Sequence, residues 1–410
     1  MSVHPSTWTL YRIPERLNRG VLYLLEGLWV ARTVFGAPNW VRGMQRRHPS
    51  VARGVVFVLF VVVACSPSEL EFPSTTTEMV IITRSPTSTS GASTTTGTMS
   101  GAPPVLADPP ATVDEAFDRI ATMGTLRALT AEIAADRCLP LHQAMVGEPA
   151  PIASVADLYV LAALGDAIAE SDLSWDETIV IREELKSVPP GMLQDRPDGA
   201  AVTVREAAEA MTSISDNTAT DHLIDLLGRE VVEGALTEYG NVSPELTTPF
   251  ANTREITALK VGPASGLRDP QWIDGDERAR RVILEQISDI TPADLPLQDW
   301  TEPIDPDLVG WFASPTDLCT LAIALIGLSG PVPEIADILA INPGVPAPAG
   351  TWDRVWFIGG SEPGLLAVWY GTESEGRRFV TVGSVVHTET SMRAEEASFL
   401  FAAARDLLAP

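Results

Sequence analysis

Apolar and polar positions after residue 111 follow two periods. In Thr112–Met123, Val113, Ala116, Phe117 and Ile120 fall on one side of a helix. Leu126–Ala135 suits a strand. Ser154–Glu170 predicts a helix that is apolar nearly all round from Leu158 to Leu164, the pattern of a buried helix. Thr203-Val204-Arg205-Glu206 is a capping box, with Ala207–Ile214 continuing its helix. The break at Ser215-Asp216-Asn217 precedes a second helix to Leu227, which Gly228 ends. Asp317–Leu328 is another apolar helix. Then the period shortens: Arg354–Ile358, Leu365–Tyr370 and Phe379–Val386 are β-type runs separated by Gly-containing turns. Ser391–Leu408 closes the chain as a helix with Ala397, Leu400, Phe401, Ala404 and Leu408 on one face. The order predicts one α+β domain over residues 111–410. Its antiparallel sheet is flanked by the N- and C-terminal helices, and an all-helical subdomain fills the middle.

The first 110 residues read differently. Val55–Ala64 is a short apolar run, preceded by Arg46, Arg47 and Arg53 and followed by Cys65. A basic start, a short apolar stretch and a small residue before cysteine form a secretory signal, too short to span a bilayer comfortably. Val62-Val63-Ala64-Cys65 is similar to a bacterial lipobox, which implies lipidation of Cys65 and an exported domain anchored to the cell membrane on its outer side. Met44 is the better start for such a signal (44–64), leaving 1–43 as an upstream extension. Residues 65–110 are expected to be a disordered tether. Between Thr83 and Ser100, 12 of 18 residues are Ser or Thr, a composition that cannot bury enough apolar surface to fold.

Charge narrows the range of partners. The chain carries a formal −26, and the eight arginines and two acids of residues 1–65 leave a net −32 on the remainder. Such a body repels nucleic acid and anionic headgroups, so no nucleic-acid partner is expected. No Cys/His/carboxylate cluster has metal-ligand spacing and no glycine loop suits a phosphate, so neither metal nor cofactor is expected. His142, His222 and His387 are expected in structural or surface roles. Cys138 and Cys319 are expected as two buried free thiols.

Three short motifs carry the candidate chemistry: Ser154-Val155-Ala156-Asp157 at the start of the buried helix, Ser215-Asp216-Asn217 between two helices, and Ile358-Gly359-Gly360-Ser361 on a late strand. Singly each is a common turn or cap; Ser-x-x-Asp is itself a capping pattern, and its plainest reading has Ser154 and Asp157 closing the first helical turn. Together, in this order and with flanking segments such as Met211–Ile224 and Trp311–Leu318, they resemble the motif set of the class A β-lactamase-like, penicillin-recognising serine hydrolases. The resemblance covers roughly residues 112–408 and implies a β-lactamase/transpeptidase-like fold working through an acyl-serine. It implies Ser154 as nucleophile, Ser215 as proton shuttle and Asn217 as a hold on the substrate amide. Gly359 and Gly360 would keep the strand edge open, and the backbone N–H groups of Ser154 and Ser361 would form an oxyanion hole.

The departures are specific. The family has lysine where this chain has Asp157 and Ile358, and the only lysines are Lys186 and Lys260. Asp157 and Asp216 are expected to face the substrate, with Arg377 or Arg378 as the nearest candidate replacement cations. The deacylating glutamate of the family falls on Ser243, and its partner asparagine on Thr247; Glu245 or Glu255 could serve only through a rearranged loop. The expected function is therefore an exported lipoprotein with lost or strongly impaired acyl-serine chemistry, binding or scaffolding at the envelope on a β-lactam or peptidoglycan-like ligand. An active esterase, amidase or weak β-lactamase using Ser154 is the alternative.

Overall fold

The structure is a computed structural model that describes Leu106 and residues 108–410. The upstream extension, the signal segment, Cys65 and the tether up to residue 105 lie outside the described residues. Among the described residues no helix is long and apolar enough to cross a membrane.

The chain enters through α1 (Val113–Ala121), capped by the Thr112 side chain on Glu115 N–H and buried through Val113, Ala116, Phe117 and Ile120. β1 (Thr125–Ala134) and β2 (Arg137–Ala144) form a hairpin. Ala135 and Asp136 both adopt positive φ (50° and 55°), the left-handed pair that a two-residue hairpin turn requires. After β3 (Ala150–Pro151) a 3-10 turn, Ala153–Ala156, leads into α2 (Asp157–Ala169). Every residue of α2 from Asp157 to Gly165 is buried, as its all-round apolar sequence dictates. The hairpin of β4 (Thr178–Val180) and β5 (Ala201–Thr203) precedes α3 (Val204–Ile214), whose predicted Thr203/Glu206 capping box is present. Then come α4 (Asn217–Leu227), α5 (Arg229–Glu238), α6 (Thr253–Lys260) and α7 (Glu277–Gln286). β6 (Phe312–Ala313) pairs with β3. α8 (Pro315–Leu328) and α9 (Glu334–Leu339) lead to the strands β7 (Arg354–Glu362), β8 (Leu365–Ser374) and β9 (Arg377–Val386), and α10 (Ala394–Asp406) ends the domain.

The main sheet has the order β2-β1-β9-β8-β7, antiparallel throughout. Period-two alternation divides its faces. Leu126 and Ala128 of β1 and Leu366, Val368 and Tyr370 of β8 join α1 and α10 in one apolar cluster. Leu129 and Ala131 of β1, with Ala367 and Trp369 of β8, join α2 and the helical region in the other. The expected α+β architecture, with the terminal helices together on one sheet face, is thus observed.

Three expectations are corrected. Cys138 and Cys319 form a disulfide between β2 and α8; their Cα atoms are 6.3 Å apart, within bridging range, across 181 residues of chain. A crosslink closing so long a loop stabilises by roughly 2–5 kcal/mol. The predicted helix from Ser154 begins as a 3-10 turn, and regular α-helix starts only at Asp157. The strand predicted to end at Ile358 runs on through Gly359, Gly360 and Ser361.

Candidate active site

The Ser154 turn is held from three sides. Ile152 N–H donates to Trp311 O (2.9 Å), and Ser384 Oγ on β9 donates to Pro151 O (2.6 Å). Between these anchors and buried Val155, Ala153 is forced into the left-handed region (φ 43°), a conformation that costs a non-glycine residue of order 1 kcal/mol and more. The third side is β7, the edge strand of the sheet. A Cβ on Gly360 would overlap the Ser154 backbone nitrogen and stand 2.8 Å from Ala153 Cβ. Only glycine allows the strand this close to the serine.

Ser215 is placed by the same kind of strain. It is the C-cap of α3, with φ 53° and ψ 48°. That turn sends its hydroxyl to Ser154, and Ser215 Oγ–H donates to Ser154 Oγ at 2.9 Å across 61 residues of sequence. Both serines are half-buried. Asn217 opens α4, and its Nδ2 donates to Val188 O (2.9 Å) in the loop Val188–Leu193. Ser361, exposed, follows Gly360 on the edge strand. Ser154, Ser215 and Gly360, from three distant motifs, thus meet at one turn; Gly359 and Ser361 flank Gly360 on the strand, and Asn217 follows Ser215 by two residues with its Nδ2 on Val188 O. The Ser154 N–H belongs to the first amides of a helical turn, which have no acceptor within it.

The acidic positions do not behave as the sequence suggests. Asp216 is fully buried and faces away from the opening: it accepts from Met192 N–H (2.6 Å), Leu193 N–H (2.9 Å) and Ala219 N–H (2.9 Å). It caps α4 and pins the Val188–Leu193 loop, with Gly191 packed against its carboxylate. Asp157 neither caps the turn nor bonds to Ser154; neither it nor Ser154 is a side-chain N-cap. It is buried beside Thr220 and near Asp221. Burial pushes its carboxyl well above the ordinary range, the Asp221 charge adds to the rise, and the Thr220 hydroxyl opposes it. Asp221 is pushed up to about 7, chiefly by burial. It accepts from Thr253 N–H (2.8 Å), Thr253 Oγ1 (2.8 Å) and Arg254 N–H (3.2 Å), bonds that favour its charged form. Asp157 has only the Thr220 hydroxyl opposing its rise. Sequence reasoning passed over Asp221 because a lone Asp inside an amphipathic helix carries no local signal.

No cation takes the motif positions; Lys260 comes nearest, held on Glu362 next to Ser361. Ile358 is 1% exposed and belongs to the apolar core. Lys260 is buried in an ion pair with Glu362, over the Trp300 ring, and Lys186 pairs with Glu183. Arg377 forks onto Glu132 and Arg378 faces Glu373. By register Ser361 is level with Leu366 and Val385, so Arg378 is seven residues down β9, about 24 Å from the serines. It replaces no cation at the site. Among the described residues no lysine or arginine donates to Ser154, Ser215, Asn217 or Ser361.

The segment expected to hold a deacylating group is occupied structurally. Thr247 is buried and exchanges hydrogen bonds with Phe312, accepting its N–H at 2.8 Å. Ser243 N–H bonds Asn241 Oδ1, and Glu245 is exposed. Glu255 completes a capping box and forks onto Arg229. The histidines are structural or superficial, as expected. His222 donates to Thr218 O and accepts from Arg182 N–H, with burial lowering its pKa, and His142 meets Asp114 at the surface. Among the described residues no group of His, Cys, Asp and Glu could hold a metal.

Residues 147–271 match the model of the beta-lactamase enzyme family, a span containing the first two serine motifs. No curated protein matches the chain. Solved structures similar to it include a beta-lactamase from Sphaerobacter thermophilus (20% identity, 72% of this chain and 95% of that one, TM-score 0.49). PBP-A is also similar (17% identity, 73% and 97% covered, TM-score 0.47), as is an ancestral class A beta-lactamase (19%, 72% and 98%, TM-score 0.48).

Proposed function

We propose that this chain, whose residues 147–271 match the beta-lactamase enzyme family model, carries a β-lactamase-like acyl-serine site that binds and does not turn over. The observation that carries this reading is the position of Asp157. One turn after the nucleophile, where a base would receive the serine proton, stands a carboxyl that is buried and turned to Thr220 and Asp221, with burial raising it well above the ordinary range. A carboxyl that makes no hydrogen bond to Ser154 is not placed to take its proton. Ser154 accepts a hydrogen bond from Ser215, and among the described residues no base accepts its own proton. In the Ser243–Thr247 segment Ser243 and Thr247 are engaged by Asn241 and Phe312, and the one carboxylate, Glu245, is exposed.

What supports slow acylation is the backbone. The strained Ala153 and Ser215 turns, the Gly360 approach and the main-chain donors survive the loss of side-chain charge. The ligand class in this reading is a β-lactam or a peptidoglycan-like amide; the structure of PBP-A with penicillin G describes an acyl-enzyme of that similar protein. Export, anchoring through Cys65 and a binding or scaffolding role at the envelope are part of the same proposal, supported by the 44–65 sequence. The test pairs a fluorescent penicillin with a chromogenic cephalosporin. The proposal expects substoichiometric or slow labelling at Ser154 and no catalytic hydrolysis of the cephalosporin. Multiple turnovers that vanish in Ser154→Ala would overturn it.

A further inference from the structure

Helix α6 is buried although its sequence is polar. All eight residues from Thr253 to Lys260 are buried, and five of them are Thr, Arg, Glu or Lys. Polar side chains that leave water need partners, and each of these has one. Glu255 forks onto Arg229, Arg254 donates to Glu184 O, and Thr257 Oγ1 donates to Thr253 O (2.9 Å). The two ends of the helix reach the two sides of the serine pair. At the N-terminal end Thr253 N–H donates to Asp221 Oδ1 (2.8 Å), and the Thr253 hydroxyl lies 2.6 Å from Ser187 Oγ and 3.3 Å from Asn217 O in the second motif. At the C-terminal end Lys260 Nζ donates to Glu362 on β7. Glu362 is two residues beyond the Gly360 that abuts Ser154 N, and so on the same face of the strand. The Trp300 ring lies over the ammonium, and Arg268 closes the helix by donating to the Leu259 and Lys260 carbonyls.

We propose that α6 is a strut that fixes the spacing of the second and third motifs across Ser154, and that Lys260 is its positioning residue on the β7 side. The inference rests on the acyl-serine reading above and deepens it. Eight helical residues span about 12 Å, and directional bonds at both ends transmit that length without the slip that an apolar contact allows. The strand at the far end needs such a hold. β7 is the edge of the sheet and pairs there with β8 alone, so Gly360 and Ser361 depend on contacts from the helical region for their place beside the nucleophile turn. Lys260 supplies one through Glu362. It touches no substrate in this account; it acts through Glu362 on the strand backbone that borders Ser154. The other ion pair of the helix, Arg229 with Glu255, ties α6 to the start of α5 and has no link to β7.

The test offers a fluorescent penicillin to the full-length chain over a range of concentrations, which separates the saturating rate of Ser154 labelling from the half-saturating concentration. The decisive variant is Lys260→Met/Glu362→Leu. It removes both charges together, so neither is left buried without a partner and the urea midpoint should hold. Its saturating rate should fall at least about tenfold with half-saturation little moved, the signature of a misplaced reacting group. Lys260→Met alone should fall as far. Glu362→Gln, which keeps the shape and an acceptor for Lys260 Nζ, should retain most of the rate. Arg229→Met should lower the urea midpoint and leave the rate unchanged. An unchanged saturating rate in the double variant, or an equal loss in Arg229→Met or Glu362→Gln, overturns the strut and leaves the acyl-serine reading standing. No labelling of Ser154 in the wild-type chain overturns both.

Discussion

The nucleophile turn and the carboxylate knot directly below it are one helical turn apart and have been built to opposite ends. In the turn, Ala153 and Ser215 carry strained backbones, Ser154 and Ser215 are half-open, and Gly360 brings an edge strand against them. In the knot, Asp157, Asp221, Thr220 and Thr253 are closed from water and knit α2, α4 and α6 together. Backbone geometry that suits acyl transfer is retained above, and the side-chain electrostatics that would drive it are replaced below by a structural device. A fold can keep the shape of a reaction site after the charges have gone, because shape is fixed by many packed residues and charge by two or three.

The contrast can be broken at either end. The largest effect is expected above: Ser154→Ala should abolish site-specific acylation while leaving the urea midpoint nearly unchanged, since a half-exposed hydroxyl contributes little to stability. Next, Gly360→Ala should cut labelling by roughly a hundredfold, because its Cβ overlaps Ser154 N and either β7 or the nucleophile turn must move. Below, Asp221→Ala should leave the Thr253 and Arg254 amides and the Thr253 hydroxyl short of an acceptor, costing about 2–4 kcal/mol in chemical denaturation.

Smallest is Asp157→Asn, which keeps the shape and removes an acid. Both aspartates are raised in the folded state, Asp221 to about 7, so the folded protein holds protons that the unfolded chain, with pKa near 4, has released. Their contribution to stability is therefore full below about pH 4 and declines as pH rises through 7. The wild type should lose stability as pH rises from about 4 through 7, and Asp157→Asn should flatten that slope. A steeper slope in the variant would show that Asp157 is not a raised carboxyl.

Much of this was legible in sequence. The terminal helices, the buried α2, the Thr203 cap and the three late strands follow from periodicity, because each has a fully apolar face. β2 did not, since it is an edge strand with exposed Leu139 and Leu141 and an internal Pro140. The disulfide was misjudged because two cysteines 181 residues apart carry no distance information. Motif order pointed to Ser154, Ser215 and Gly360, which the fold brings into contact. It could not reveal which way an aspartate turns: Asp157 and Asp216 both lie within motifs, and both point into the fold, because their donors and neighbours (Leu193 N–H, Ala219 N–H, Thr220) come from other segments.

Burst kinetics with 4-nitrophenyl acetate test the central claim most directly. The account predicts release of about one equivalent of nitrophenolate, matched by one acetyl group on Ser154, and then a steady state at the rate of the uncatalysed reaction. Sustained release of many equivalents, lost in Ser154→Ala, would contradict it, because the chain would then possess a base that Asp157, Ser243 and Thr247 do not provide.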